Sequence, residues 1–192
     1  MHISSFILFQ INGMKRIIAH LRRMYRLSLT FKKQEKMVWN DLKKHHEDQE
    51  YQSGVFEKDR YIESFFKISD DKSFAFYYTI FENKFNCRVK VLDTFDEELT
   101  SDIFILATHF NNLLNNGNVL INVENNYVEY VVKTDLLIPL LYKGEIENQI
   151  TRHYKTTRNI NKAFQRLINE QEVPAIIIAD LLKETSEKNK ED

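Results

Sequence analysis

Apolar positions along this chain change period several times, and each change marks an element. Met14, Ile17, Ile18, Leu21, Met24 and Tyr25 recur at three- and four-residue spacing among Lys15, Arg16, His20, Arg22, Arg23 and Arg26, which predicts a basic amphipathic helix. A second helical stretch over 34–50 carries Val38, Leu42 and Trp39 as its apolar stripe. From Val55 to Phe95 the period falls to two. Arg60 to Ile68 reads as one strand. Ser73 to Phe81 reads as the next, with Phe74, Phe76, Tyr78 and Ile80 on one face and Tyr77 and Phe81 on the other. Aromatics on both parities predict a central strand covered on both sides. The following run sets Phe85, Cys87, Val89 and Val91 against Asn86, Arg88 and Lys90, the pattern of a half-exposed hairpin partner.

After Thr100 the helical period returns through Ile103, Leu106, Ala107, Phe110, Leu113 and Leu114, with Ser101 as the expected cap and Gly117 as the stop. Strands are predicted at Val119–Val123 and Tyr127–Lys133, joined through Glu124-Asn125-Asn126, where asparagine tolerates positive φ. A long amphipathic helix is expected beyond Gly144, and Pro174 suits the first turn of a last helix that gives way to a charged tail from Lys183. The fold class is therefore α+β: an antiparallel sheet of about five strands with flanking helices, in the order α-β-β-β-α-β-β-α-α. The expected organisation is a basic amphipathic extension over 1–36, one domain over 37–183 and a tail over 184–192.

That order, with the stretch ATHFNNLLNNGNVLINVENNYVEYVVKTDLL, resembles the YbjN family and its wider relatives, the type III secretion chaperone-like proteins. The resemblance covers roughly residues 40–182. It implies a compact sheet flanked by helices, frequent homodimers, and the binding of polypeptides or a role in stress-related regulation, without catalysis. The basic first 36 residues depart from that family's pattern.

Charge sharpens the division. Residues 1–36 carry a net +7 and the remainder −8, so the near-neutral total of −1 hides a basic head on an acidic body. An acidic body is a poor binder of polyanions, and no nucleic-acid partner is expected. The head admits three readings: a helix on an anionic membrane surface, with Lys15, Arg16, Arg22, Arg23 and Arg26 as its contacts; a helix docked on the acidic body; or residues upstream of a true start at Met14, Met24 or Met37. A single cysteine and four glycines leave no disulfide framework, no cysteine-rich zinc site and no glycine-rich phosphate cradle. The expected location is cytoplasmic, or peripheral to a membrane.

No arrangement of catalytic residues emerges, and neither metal nor cofactor is expected. Cys87 falls on the apolar parity of its strand, where a thiol is a small hydrophobe. His45 and His46 point about 100° apart and cannot chelate together, so solvated side chains are expected. His109 reads as a partly buried, hydrogen-bonded histidine, and His153 with Tyr154 as core or dimer packing. Acid groups such as Asp70-Asp71 and Asp96-Glu97-Glu98 read as loops and helix starts. The candidate partner or dimer surface is the aromatic strand: Phe74, Phe76, Tyr77, Tyr78 and Phe81. The expected function is a non-enzymatic, protein- or peptide-binding module acting as a homodimer or on a polypeptide partner; the alternative is a peripheral membrane regulator anchored by the basic helix.

Overall fold

The computed structural model describes residues 3–68, 72–142 and 144–191, with side chains at residue 14 and, within those ranges, at 16–140, 142 and 144–183. Helices α1 (Ile3–Ser28) and α2 (Phe31–Asp48) lead into strands β1 (Ser53–Phe56), β2 (Tyr61–Lys67), β3 (Ser73–Phe81) and β4 (Lys84–Leu92). A 3-10 turn at Glu97–Leu99 opens α3 (Thr100–Leu113), followed by β5 (Asn118–Asn122), β6 (Tyr127–Asp135), α4 (Leu137–Leu141), α5 (Glu145–Asn169) and α6 (Pro174–Glu191). The strands form one six-stranded antiparallel sheet in the order β1-β2-β3-β4-β6-β5. This is the α+β architecture that the periodicity predicts, with one strand more at the edge.

Four differences have local causes. β1 is too short to show a period. α4 occupies a single turn between β6 and Gly144, below the length at which a stripe is visible. Ser101 does not cap α3. The chain enters that helix through the 3-10 turn, and Thr100 Oγ1 donates to the Glu97 carbonyl at 2.6 Å instead. α6 continues to Glu191, so the stretch expected as a tail is helical backbone. The Asp70-Asp71 pair lies outside the described residues.

Period two dictates the core. Ile62, Phe74, Phe76, Tyr78, Ile80, Phe85, Cys87, Val89, Val91, Val128, Tyr130 and Val132 all point to one face and are buried there. α5 lies across that face with Ile150, His153, Thr157, Ile160, Phe164 and Leu167, while α2, α3 and α6 complete the layer. A register shift between Lys90 and Leu92 leaves Val91 out of the pairing with β6, and Asn161 Nδ2 donates to its carbonyl at 2.8 Å. One buried amide thereby satisfies the backbone acceptor that the bulge would otherwise strand.

Two turns depend on backbone shape. Asn126 closes the β5–β6 hairpin at φ 49°, as the Glu124-Asn125-Asn126 sequence implies. Gly117 sits at φ 87°, where a Cβ would lie 2.7 Å from the Tyr130 ring and 2.8 Å from Val132. Gly117→Ala is expected to cost about 2 kcal/mol in urea denaturation, combining the left-handed penalty with displacement of a buried ring.

Candidate binding face

The helices cover one side of the sheet. Among the described residues no helix covers the other, and the parity that β3 and its neighbours place there remains open to solvent. Within this chain β3, central in the sheet as expected, is therefore covered on one side only. Its alternate positions Tyr77 and Phe81 are 39% and 64% exposed. Phe74, Phe76 and Tyr78, grouped with them in the sequence as one candidate surface, lie in the core at 4%, 0% and 0% exposure. They support the sheet from beneath and are not available to a partner. The candidate surface contracts to Tyr77 and Phe81, and the register adds new members.

Pairing places Tyr61 opposite Thr79, Glu63 opposite Tyr77, and Arg88 between Tyr77 and Val131 on the same open face. Phe56 stacks on Tyr61 with ring centroids 4.3 Å apart and planes 11° from parallel, and Tyr61 meets Tyr77 at 6.4 Å. The Tyr77 hydroxyl donates to Glu63 Oε1 at 2.8 Å, fixing that ring across β2. This carboxylate, with burial, raises the Tyr77 pKa. A shallow groove of about 980 Å³ runs beside these rings, bordered by Arg60, Phe81, Asn86, Arg88, Val131 and Lys133. Charges of both signs sit on the face: Arg88 pairs with Glu129 at 3.3 Å, and Lys84 with Asp135 at 3.4 Å. Phe56, Tyr61, Val131 and Lys133 were missed in the sequence, because the signal for a shared face is register between strands, and register is not written in any one strand.

The two sheet edges differ. At β5, the Asn111 side chain of α3 accepts from Val119 N–H at 2.7 Å and donates to Val119 C=O at 3.0 Å. That amide occupies the outward backbone groups where another strand would add. At β1, Phe65 N–H donates to the Gln52 carbonyl at 2.9 Å, which puts Gln52, Gly54 and Phe56 in the pairs bonded to β2. Ser53 and Val55 direct their N–H and C=O outward, and Val55 is 43% exposed.

Chemistry-bearing side chains gather beneath the sheet instead. His46 is buried, not solvated as its sequence setting implies. Its Nδ1 lies 2.9 Å from the Leu42 carbonyl and its Nε2 2.7 Å from Ser64 Oγ. A carbonyl only accepts, so Nδ1 carries the proton and Ser64 donates to Nε2. The pair has the connectivity of a base and its nucleophile, yet Ser64 is 0% and His46 1% exposed, beyond the reach of a substrate. His153 is equally buried, stacked near Tyr78 and Phe85 at 5.9 and 6.0 Å. Burial, aided by the Arg152 charge, pushes its pKa down to about 3. Burial also pushes the Cys87 thiol far above its ordinary value, so Cys87 is an inert core group. His109, expected to be partly buried, is exposed on α3. Among the described residues no three His, Cys, Asp or Glu side chains gather as a metal site would require.

The basic head is placed by its second half. Arg26 pairs with Asp41 at 2.9 Å, the Arg23 guanidinium lies 5.7 Å from the Tyr142 ring centroid, and Gln34 Nε2 donates to the Arg26 and Leu27 carbonyls at 3.2 Å. Those bonds satisfy carbonyls that a helix end leaves open. Arg16 and Arg22 are exposed, and the Lys15 side chain lies outside the described residues. No described helix is long and apolar enough to cross a membrane.

No family model matches the chain, and no curated protein matches it in sequence. In structure the chain is similar to the crystal structure of YbjN, a candidate transcription regulator from E. coli. The two are 12% identical with a TM-score of 0.47, over 67% of this chain and 93% of that one. The likeness is one of chain path, and no residue role follows from it.

Proposed function

We propose that this protein is a non-enzymatic binding module whose partner is an extended polypeptide segment, taken up where the open sheet face meets the β1 edge. The observation that carries this reading is the uncovered row Phe56–Tyr61–Tyr77 lying beside outward-facing backbone groups at Ser53 and Val55. An added strand would gain main-chain hydrogen bonds from that edge, and its alternate side chains would meet Phe56, the outermost ring of the row. The mixed signs at Glu63, Arg88, Glu129 and Lys133 favour a polypeptide, which carries both charges, over a polyanion, which needs a surplus of cations. No catalytic role is assigned to any residue, and a second copy of the chain is one form the partner can take.

The test is binding of labelled unstructured peptides with alternating apolar residues, read by fluorescence anisotropy. Val55→Pro removes an outward N–H without touching the bonds to β2, and proline is tolerated on edge strands. It is expected to weaken binding about tenfold with the fold intact, as is Phe56→Ser at the exposed outer end of the row. Unchanged affinity in both variants would refute the site. Light scattering on the full chain separates a self-partner from a foreign one, since a homodimer built on this edge dissociates in the Val55→Pro variant.

A further inference from the structure

α1 is attached to the body by the wrong side for a helix that exists to fill the core. Ala19, Arg22, Arg23 and Arg26 face α4 and the start of α5 across a cleft of about 520 Å³, with Asp41, Tyr142 and Glu147 opposite. The apolar stripe faces away: Met14, Ile17, Leu21, Met24 and Tyr25 are 55–62% exposed and Ile18 is 45% exposed. A docked amphipathic helix ordinarily buries that stripe. Here the polar side is held, by Arg26 on Asp41 and Arg23 on Tyr142, and the apolar side is presented over a length of roughly 17 Å at 1.5 Å per residue.

Charge decides what can cover it. α1 carries Lys15, Arg16, Arg22, Arg23 and Arg26 and not one Asp or Glu. At about 100° per residue, Arg22 borders the stripe on one side, and Arg16 and His20 border it on the other. Were a second α1 to pack on the stripe, these residues would fall at the flanking positions where paired helices need opposite charges, and no acid is present to supply them. An anionic bilayer surface meets both requirements: acyl chains receive the stripe, and lipid phosphates receive the bordering cations. We infer that α1 is a membrane-surface helix for anionic phospholipid, held by its polar side so that Met14, Ile17, Ile18, Leu21, Met24 and Tyr25 point outward to the bilayer. This inference does not depend on the polypeptide-binding reading, because α1 and the open sheet face share no residue.

The experiment is flotation of the full chain with vesicles of phosphatidylcholine alone and with vesicles enriched in phosphatidylglycerol. The chain is expected to float with the anionic vesicles only, and to be released largely in about 1 M salt, where the screening length falls to about 3 Å. Leu21→Glu places a carboxylate in the exposed stripe, where it disturbs no packing. It is expected to reduce vesicle binding about tenfold or more, and Arg16→Glu with Arg22→Glu to do the same, with circular dichroism unchanged. Tyr77→Ser, on the sheet face, is expected to bind vesicles as the parent does. Absence of binding to anionic vesicles at low salt overturns the inference, as does equal binding to neutral ones or a Leu21→Glu chain that binds normally. A dimer in the absence of lipid that Leu21→Glu dissolves also overturns it, by assigning the stripe to a second copy.

Discussion

Unfolding free energy is expected to fall by about 2 kcal/mol between pH 7.5 and pH 5, and by more than about 3 kcal/mol at pH 4, measured by urea denaturation across the range. The cause is His153. In the unfolded chain its imidazole takes a proton near pH 6.5; in the fold, burial holds its pKa at about 3. Between those values the unfolded state binds the proton and the folded state does not, so stability present above pH 6.5 is lost as the pH falls towards 3. His46 and His45 are lowered in the same direction by burial and add to the slope. Carboxylates with depressed pKa values, such as Asp135 held by the Leu137 N–H and Lys84, begin to contribute only lower in the range.

The control is His153→Leu, close in size and without polar atoms. Among the described residues neither ring nitrogen of His153 meets a hydrogen-bond partner, so the parent carries an unpaid desolvation cost even when neutral. The variant is expected to gain about 1 kcal/mol at pH 7 and to show a shallower decline below pH 6.5. An identical slope in parent and variant would mean that this ring is solvated in the folded state.

The sheet was legible in the sequence wherever a strand ran long enough to alternate. β3 and β4 each span nine residues, and the parity read as apolar, Phe74 to Ile80 and Phe85 to Val91, is the buried one, with Leu92 buried off that parity beside the bulge. α5 was legible for the same reason, since Ile150, Ile160, Phe164 and Leu167 repeat at helical spacing and all are buried. Side-chain type does not say what supplies a cover. Tyr77 and Phe81 are large and aromatic, which calls for a layer over them without saying whether this chain or a partner provides it. The structure leaves them open because α2, α3, α5 and α6 are all used on one side. Hydropathy reports that a face can be buried, not that anything is there to bury it.

The head shows the converse. Its stripe was read correctly as amphipathic, but a wheel gives no direction. Among the described residues, Asp41 and Tyr142, neither of them in the helix, show which side is held. His46 failed for a related reason: its neighbours Lys43, Lys44, Glu47 and Asp48 are charged, and the Ser64 that receives it lies 18 positions away. The candidate face therefore emerges from pairing register and helix placement, both of which are properties of the assembled chain and not of any single segment.

That distant partner makes His46→Ala the substitution with the largest expected loss, about 3–4 kcal/mol of stability. Three things go at once. The ring leaves a cavity beside Tyr51 and Tyr78, whose centroids lie 5.5 and 5.8 Å away. Ser64 Oγ, fully buried on β2, loses its acceptor. A link from α2 to the sheet is cut, and α2 also carries Gln34 and Asp41, the residues that hold α1. Ser64→Ala creates no comparable cavity and leaves only the Nε2 acceptor unsatisfied, so about 1–2 kcal/mol is expected. The double variant should lose less than the sum of the two, by about 1 kcal/mol, since each single change already breaks the same bond. Strict additivity in urea denaturation would show that the His46–Ser64 bond contributes nothing, and would leave the position of α2, and with it the presentation of α1, to apolar packing through Val38, Trp39 and Leu42.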